Sequence, residues 1–260
     1  MPNEGRNVTK GWSAHATRYP DLRKDKPRTD PVFGLCIHTS GSGILKKAKK
    51  TGKHPDLVAL TYYQTATYST HYVVGLNGFY QLTSELERVQ HVGMADEKRK
   101  RSPAQTRKWY LSGRWREDLP KAFVQRWDRR WTERSPSHLY PSKFPNSCYV
   151  AVECIPCDGF AAPHGKGRYT DAQHVWCAVL ACDLAERHRW PQGWEASSRL
   201  AGHEDLAPHN RITKSEGWDP GGLREEPWFD WDFFYAWVNQ GQTLFRGRLD
   251  IMADIARRMQ

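Results

Sequence analysis

The sequence lacks any long hydrophobic run. No stretch approaches the roughly 18 apolar residues that a membrane-spanning helix requires, so we expect no membrane span. The first residues, Met1–Arg6, are polar and are not followed by the apolar segment of a secretory signal. These absences predict a protein that is synthesised in the cytoplasm and acts on a cell wall or periplasm only after release or injection.

Cysteine is also scarce, which excludes a disulfide-stabilised scaffold. Six cysteines are spread over 260 residues, whereas disulfide-rich domains are short and much denser in cysteine. Cys154 and Cys157, together with Cys177 and Cys182, have a spacing that a second, structural zinc site can use. A single C-x-x-C pair is a weak signal, however, and buried free thiols are the favoured interpretation.

Acidic residues are outnumbered by basic ones. The chain has 39 Lys and Arg against 29 Asp and Glu, a formal net charge of +10 and a pI of about 9.4. This excess favours an anionic partner such as nucleic acid, a cell wall or a membrane surface, with solubility alone as the alternative. The basic run Lys46–Lys53 predicts a solvated loop or helix end. Arg and Trp interleave over residues 98–131, as in some nucleic-acid-binding surfaces, but without a recognised motif we expect no nucleic-acid partner.

Short apolar runs alternate with amphipathic segments along the chain. Val32–Ile37 and Cys148–Cys154 have the composition of buried strands, and Asn77-Gly78 joins two β-prone runs as a hairpin turn. Pro55–Tyr63 and Asp171–Arg187 have helix-start residues followed by apolar residues at helical spacing. This order predicts an α/β fold with a mixed central β-sheet flanked by helices.

The length suits one domain with a large insertion. We predict an N-terminal arm at residues 1–30, a domain at residues 31–240 and a C-terminal helix at residues 241–260. Residues 96–145 form a Trp/Arg-rich insertion within the domain, with a helix over Leu119–Trp131. The insertion is either a lid that packs on its own tryptophans or part of a substrate groove.

One irregular loop carries the chemistry around which the chain is organised. Ala201–Pro208 and Gly217–Gly221 place His203 and Asp219 on this loop, and neutral imidazole and carboxylate are good Zn²⁺ ligands. A catalytic zinc needs three protein ligands and an open position for water. His38 ends a buried strand at a Gly/Ser loop and is the candidate third ligand, although taken alone it is better interpreted as a core histidine.

Glu153 is the second unusual residue at a strand end. It interrupts an otherwise apolar run, and burying a carboxylate is costly unless it is paired or takes part in chemistry. Glu153 is therefore a candidate functional residue.

Together these motifs resemble the zinc-dependent type 2 N-acetylmuramoyl-L-alanine amidases, the superfamily that also contains the peptidoglycan recognition proteins. Each motif alone is weak, but five stand in the family's order and span about residues 32–239 apart from the insertion. They are Gly34–Ser40, Ser69–Val74 with Asn77-Gly78, His91–Gly93, Tyr149–Glu153, and Gly202–Pro208 with Asp219–Gly221.

The resemblance implies a Zn²⁺ cofactor held by His38, His203 and Asp219. It also implies hydrolysis of the amide between the lactyl group of N-acetylmuramic acid and the L-alanine of the stem peptide. Glu153 matches the family's acidic residue, and as a hypothesis it takes a proton from the attacking water and returns it to the leaving amine. Its apolar strand is expected to raise its pKa towards that task.

Three further positions match the family's substrate groove less firmly. His71 and His91 correspond to positions near the groove, and a hydrogen-bonded structural role is an equal alternative for both. Thr70 stands where some relatives carry a catalytic tyrosine, which indicates the subgroup that relies on glutamate.

The sequence departs from the family at a lysine that stabilises the oxyanion. This lysine usually stands two positions before the third ligand, where the chain has Gly217. Asp219 follows His203 by 16 positions, a longer gap than is usual in the family. Lys214 is therefore the candidate to reach the same place from the enlarged loop.

These observations predict a monomeric hydrolase that acts on bacterial peptidoglycan. The basic charge suits an anionic wall, and the Trp-rich insertion suits stacking on glycan. The setting is a phage endolysin, an injected antibacterial effector or a cytoplasmic muropeptide-recycling amidase. A recycling enzyme needs no strong positive charge, so a lytic role is favoured. The alternative from another class is a non-catalytic peptidoglycan-binding module, which usually lacks a zinc ligand.

Overall fold

The structure describes most of the chain. Among the described residues, no helix is both long and apolar enough to cross a membrane. The predicted N-terminal arm and the end of the predicted insertion lie partly outside the described residues. The computed structural model describes residues 11–19, 26–40, 42–66, 68–93, 95, 98, 100–132, 145–157, 168–196, 199–214 and 216–260.

The strands of the described residues form one six-stranded sheet and two short ribbons. In chain order they are β1 (Thr17–Arg18), β2 (Lys26–Pro27), β3 (Gly34–Thr39), β4 (Tyr72–Val74), β5 (Phe79–Gln81), β6 (Glu87–Arg88), β7 (Tyr149–Cys154), β8 (Leu200–Gly202), β9 (Ile212–Thr213) and β10 (Glu216–Gly217). The sheet has the order β1-β5-β4-β7-β3-β8, while β2 pairs with β6 and β9 with β10. Within the six-stranded sheet β4 and β5 are antiparallel and the other neighbouring strands are parallel, so the predicted mixed sheet and its hairpin are confirmed.

Helices cover both faces of this sheet. In chain order they are α1 (Ser42–Thr51), α2 (Pro55–Tyr63), α3 (Pro103–Leu111), α4 (Trp115–Asp118), α5 (Lys121–Thr132), α6 (Pro145–Cys148), α7 (Asp171–Arg187), α8 (His203–Leu206), α9 (Trp231–Thr243) and α10 (Leu249–Arg258). α2 and α7 have the predicted bounds, and the capping box of Thr170 with Gln173 fixes the start of α7. Residues 46–51 of the basic run belong to α1, where a solvated loop or helix end was expected.

The alternation of side chains along the strands shows which helices pack on each face of the sheet. Leu35 and Ile37 of β3 pack in the core with α7, α9 and α10, whereas Cys36 packs in a second core with α3 to α5. In β4, Val73 turns to a third cluster with α1 and α2. Because successive strand residues point to opposite faces, the sheet is buried on both sides, which explains its nearly continuous apolar strands.

The central parallel strands end at one edge of the sheet. β3 lies between β7 and β8, with His38 beside Glu153 and Ile37 beside Gly202. His203 directly follows Gly202. The carboxyl ends of three strands therefore bring His38, Glu153 and His203 to one place, the usual location of a site in open α/β sheets.

The six cysteines are buried free thiols, as the favoured interpretation predicted. Cys154 Sγ lies 3.5 Å from Cys177 Sγ. Within the described residues, no cluster of three potential ligands includes Cys154, Cys157, Cys177 or Cys182. A second zinc site built from these cysteines is therefore not formed.

Glu85 is a buried carboxylate that links the sheet to α7. It accepts hydrogen bonds from Tyr72, from Arg187 and, at 2.7 Å, from His188 Nε2. Burial by itself raises the pKa of Glu85, but the hydrogen bonds from His188 and Arg187 and the charge of Arg187 lower it to about 2. Glu85 is therefore ionised throughout the physiological pH range.

We expect this carboxylate to control part of the acid stability. A group whose pKa is lowered by folding contributes stability that is complete above its unfolded pKa and is lost as the pH falls towards the folded value. The contribution is on the order of 3 kcal/mol, and it should disappear between about pH 4.5 and pH 2. Glu85→Gln should therefore lower the free energy of unfolding at pH 7 and flatten its pH dependence in this window. Urea unfolding followed by Trp fluorescence measures both, with the exposed Glu117→Gln as control; an unchanged acid limb in Glu85→Gln would contradict this assignment.

Candidate active site

A cavity of about 810 Å³ opens at the carboxyl edge of the sheet. The residues predicted to form the site divide into two groups. Those that line the cavity are His38, His91, Glu153, His203 and Asp219, and those that do not are Thr70, His71 and Lys214.

Three potential metal ligands converge in this cavity. His203 Nδ1 lies 3.0 Å from His38 Nδ1 and 3.0 Å from Asp219 Oδ2, and His38 Nδ1 lies 3.7 Å from Asp219 Oδ2. The Asp219 carboxylate is fixed because Thr39 N–H, at the end of β3, donates to its Oδ1 at 2.8 Å. The backbone carbonyl of Asp219 accepts a hydrogen bond from the Glu204 N–H in α8. The third ligand is thus tied to the two elements that carry the other two.

These atoms fit a zinc ion. Tetrahedral bonds of about 2.0–2.2 Å require ligand atoms roughly 3.3–3.6 Å apart, and the observed separations of 3.0, 3.0 and 3.7 Å bracket that range. Two imidazoles and one carboxylate form a donor set used by catalytic zinc. Burial, assisted by the charge of Arg211, lowers the pKa of His203 to about 3, so its imidazole is neutral as a metal ligand must be.

A second group of potential ligands shares His38. Its Nε2 atom lies 3.2 Å from Cys36 Sγ and 2.9 Å from His91 Nδ1. Cys36 does not line the cavity, whereas His38, His203 and Asp219 all do, so the first group better suits a catalytic ion, which needs an open position. His91 has a different use: accepting a hydrogen bond from Nε2 would orient the ring so that Nδ1 faces His203 and Asp219.

The cation beside the ligands is Arg211. Its Nε lies 2.9 Å from Asp219 Oδ2 and 3.1 Å from His203 Nδ1, and its guanidinium stacks 4.8 Å from the centre of the Trp218 ring. Nothing in the local sequence singles out Arg211, because it stands eight positions before Asp219 and reaches it only through the β9–β10 hairpin. Sequence reasoning therefore missed it.

Lys214 is not brought to this cluster. The extra length between His203 and Asp219 forms the β9–β10 hairpin, and Lys214 is exposed at its turn with φ +58°. Gly217, where the family lysine is expected, is buried against Glu204: a Cβ there would lie 1.9 Å from Glu204 Oε2. A side chain at that position would have to displace the buried Glu204 carboxylate, whereas glycine leaves that carboxylate in place.

Glu153 lies on the cavity wall with a perturbed acidity. Burial, with a smaller contribution from the charge of Asp219 and opposed by His38, raises the pKa of Glu153 to about 7. The Tyr63 hydroxyl at the end of α2 is hydrogen-bonded to Glu153, a contact that sequence reasoning missed because Tyr63 has the spacing of a helix core residue. Glu153 Oε2 has no hydrogen-bond partner in the described part of the chain, which leaves it able to accept a proton.

His71 and Thr70, just before β4, form hydrogen bonds with β7 and do not line the cavity. Ala151 N–H donates to His71 Nδ1 at 3.0 Å, and the Thr70 hydroxyl lies within hydrogen-bonding distance of the carbonyls of Tyr72 and Ala151. Burial and the nearby Arg28 charge lower the pKa of His71 to about 3. The structural alternative therefore describes His71, and neither residue is placed to touch a substrate in the cavity.

The insertion supports the loop that carries His203. Asp205 is fully buried two positions after His203, and both of its carboxylate oxygens accept hydrogen bonds from Arg130 at 3.0–3.2 Å. Trp131 Nε1 donates to the same carboxylate at 3.0 Å, and the Tyr110 hydroxyl donates to the Asp205 carbonyl at 2.7 Å. Helices α3 and α5 thus hold the turn that positions one ligand.

The tryptophans of the insertion are core residues. Trp109, Trp115, Trp127 and Trp131 are at most 6% exposed and pack in one cluster with Ala201 of β8. The expectation that they stack on glycan is therefore wrong. None of these four tryptophans lines the cavity, and the helices that carry them pack against the turn that follows β8.

Comparison with known proteins gives one family match. A family model described as N-acetylmuramoyl-L-alanine amidase matches residues 28–222. Among solved structures, the chain is similar to the crystal structure of a selenomethionine AmpD derivative, with 20% identity and a TM-score of 0.45 over 88% of this chain and 97% of that chain. No curated protein matches the chain.

Proposed function

The chain belongs to the N-acetylmuramoyl-L-alanine amidase family, and from that premise we propose that it is a zinc amidase whose ion is held by His38, His203 and Asp219. The observation that carries the proposal is the convergence of these three ligand atoms in a cavity that Glu153 also lines. The amide cleaved joins the lactyl group of N-acetylmuramic acid to L-alanine.

The residues divide the chemistry between them. A zinc ion held there supplies Lewis acidity towards the scissile carbonyl and makes water a stronger acid. Glu153, with a pKa of about 7, accepts the proton of the attacking water and later donates it to the leaving amine. Tyr63 orients the carboxyl group by its hydrogen bond, and His91 orients the imidazole of His38.

Arg211 takes the electrostatic role that the resemblance assigns to a lysine. Its Nε is engaged with Asp219 and its Nη1 with Asn210, while the guanidinium lines the cavity. A fixed cation at this place stabilises the negative charge that develops on the carbonyl oxygen during attack.

The proposed setting is lysis of polymeric peptidoglycan, by a phage endolysin or an injected effector. A net charge of +10 supports action on an anionic polymer. The complete set of ligand candidates argues against a binding module without catalysis, and a soluble muropeptide would not require this charge.

Release of stem peptides from purified peptidoglycan tests the proposed function. Untreated enzyme should generate a new L-alanine amino terminus, chelator should abolish it, and added Zn²⁺ should restore it. The rate should rise with pH through about 7, because the base must be ionised to accept a proton. Glu153→Gln should lose roughly 100- to 10,000-fold of the rate, while exposed Glu117→Gln should not change it. Tight wall binding without release would instead indicate a recognition module.

Single substitutions of Arg211 and Lys214, the two candidate cations, separate their roles. Arg211→Ala should lower kcat by roughly 100- to 1,000-fold, the range expected when a donor to a developing oxyanion is removed. Lys214→Ala should leave kcat unchanged because Lys214 is exposed at the hairpin turn. Arg211→Lys should recover part of the loss, since the charge returns without the fork geometry. Single-turnover kinetics on a soluble muropeptide would show this, and a larger loss in Lys214→Ala would reverse the assignment.

A further inference from the structure

Helix α1 forms a basic face at the mouth of the cavity. Its buried side, with Ile44, Leu45 and Ala48, packs in the cluster shared with α2. Its outer side exposes lysines, and no acidic residue occurs between residues 42 and 53. The exposed lysines of this segment, here called the α1 face, are Lys46, Lys47, Lys49, Lys50 and Lys53.

The α1 face is continuous with the active-site cavity. Gly43, Ile44 and Lys47 line the cavity, so the lysines on the remaining turns extend outward from its wall. Lys46, Lys47 and Lys50 make no ion pair with any described residue. The nearest acid in sequence, Asp56, is buried and accepts from the backbone N–H groups of the β4–β5 turn. The charges of these three lysines are therefore not neutralised by ion pairs within this part of the fold.

We propose that the α1 face binds the uncleaved part of polymeric peptidoglycan through the carboxylates of neighbouring stem peptides. The inference rests on the proposed function and adds to it the surface that holds the polymer and the stem-peptide carboxylates as the groups that this surface binds. A peptide stem carries free carboxylates, and a polymer presents many of them along one strand. A row of lysines beside the cavity can hold that strand while a single stem occupies the site, because several weak ionic contacts on one ligand act together.

Charge reversal on the α1 face tests the proposal. Lys46→Glu/Lys50→Glu should bind purified peptidoglycan about tenfold more weakly at low salt and lose most of its salt dependence. Its hydrolysis of a soluble, monomeric muropeptide should match that of wild type. Lys108→Glu/Lys121→Glu makes the same charge change at exposed positions of the insertion and should retain wild-type binding. Lys47 is left unchanged because it lines the cavity.

A second arm identifies the ligand chemistry. Peptidoglycan whose carboxylates have been amidated should bind wild type and Lys46→Glu/Lys50→Glu equally weakly. Equal losses in the two charge-reversal variants, unchanged binding in both, or full binding to amidated polymer would overturn the proposal, as would a parallel loss on the soluble muropeptide. If wild type cleaved neither substrate, the proposed function would fail, yet the comparison of binding to purified peptidoglycan between wild type and the two charge-reversal variants would still decide whether the α1 face binds the polymer.

Discussion

Asp219→Ala should release stem peptides roughly a thousandfold more slowly than wild type and should lose its zinc. Asp219 supplies the one anionic ligand atom, 3.0 Å from His203 Nδ1, and no other described carboxylate is in the cluster with His38 and His203. A metal ion contributes several kcal/mol to transition-state stabilisation, and about 4 kcal/mol corresponds to a thousandfold in rate. Metal analysis of dialysed protein and kcat on purified peptidoglycan measure the two effects.

Cys36→Ala is the matched control for this experiment. Cys36 belongs to the other potential ligand group, which approaches His38 through Nε2. We expect it to keep its zinc and to lose at most about tenfold in rate, as for a residue that only supports a ligand. Asp219→Asn retains an oxygen to accept from Thr39 N–H and should separate metal loss from misfolding. Zinc retained in Asp219→Ala but lost in Cys36→Ala would place the ion between Cys36, His38 and His91.

Arg130→Met should lower the free energy of unfolding by about 3–5 kcal/mol. Arg130 and Asp205 are almost fully buried, with side chains 6% and 0% exposed. Removing the guanidinium would leave the Asp205 carboxylate charged without its partner in a nonpolar core, and this desolvation is the source of the cost. The arginine also stacks 3.4 Å from the centre of the Trp231 ring. Urea unfolding monitored by Trp fluorescence measures the loss.

The insertion provides its own control for the Arg130 result. Arg116 and Asp128 form an ion pair at 2.9 Å, but their side chains are 41% and 43% exposed. Arg116→Met should therefore cost at most about 1 kcal/mol. The double variant Arg130→Met/Asp205→Asn should be more stable than Arg130→Met, because the unpaired charge is gone. Similar losses in Arg116→Met and Arg130→Met would mean that burial does not determine the strength of these pairs.

The buried Arg130–Asp205 pair also connects stability to catalysis. Asp205 follows His203 by two positions and accepts a hydrogen bond from Gly202 N–H at 2.7 Å, so it fixes the turn into α8. Helices α3 and α5, which belong to the insertion predicted from the sequence, thus support the turn that positions the ligand His203. Their tryptophans are used for packing, which leaves exposed Tyr62 and Tyr68 among the aromatic residues at the cavity.

The sequence by itself determined the sheet and the strand-end residues. Buried strands, the Asn77-Gly78 hairpin and the bounds of α2 and α7 follow from local rules of periodicity, turn chemistry and capping. These features depend on residues close together in the chain, so a single sequence contains them. That His38 and His203 belong to one site was implied by the family resemblance of their motifs, and the parallel order of β7, β3 and β8 that brings them together came from the structure.

Only the tertiary structure decided which cation and which aromatic residues serve the site. Arg211 reaches Asp219 because a hairpin brings it back, Lys214 is exposed, and Gly217 packs against the Glu204 carboxylate. The direction of Tyr63 towards Glu153 depends likewise on contacts between elements distant in sequence. Periodicity reports whether a side chain is buried and does not report its neighbour, since neighbours are set by how elements pack. For the same reason the tryptophans of the insertion could be recognised from the sequence as a group, while their place in the core beneath His203 could not.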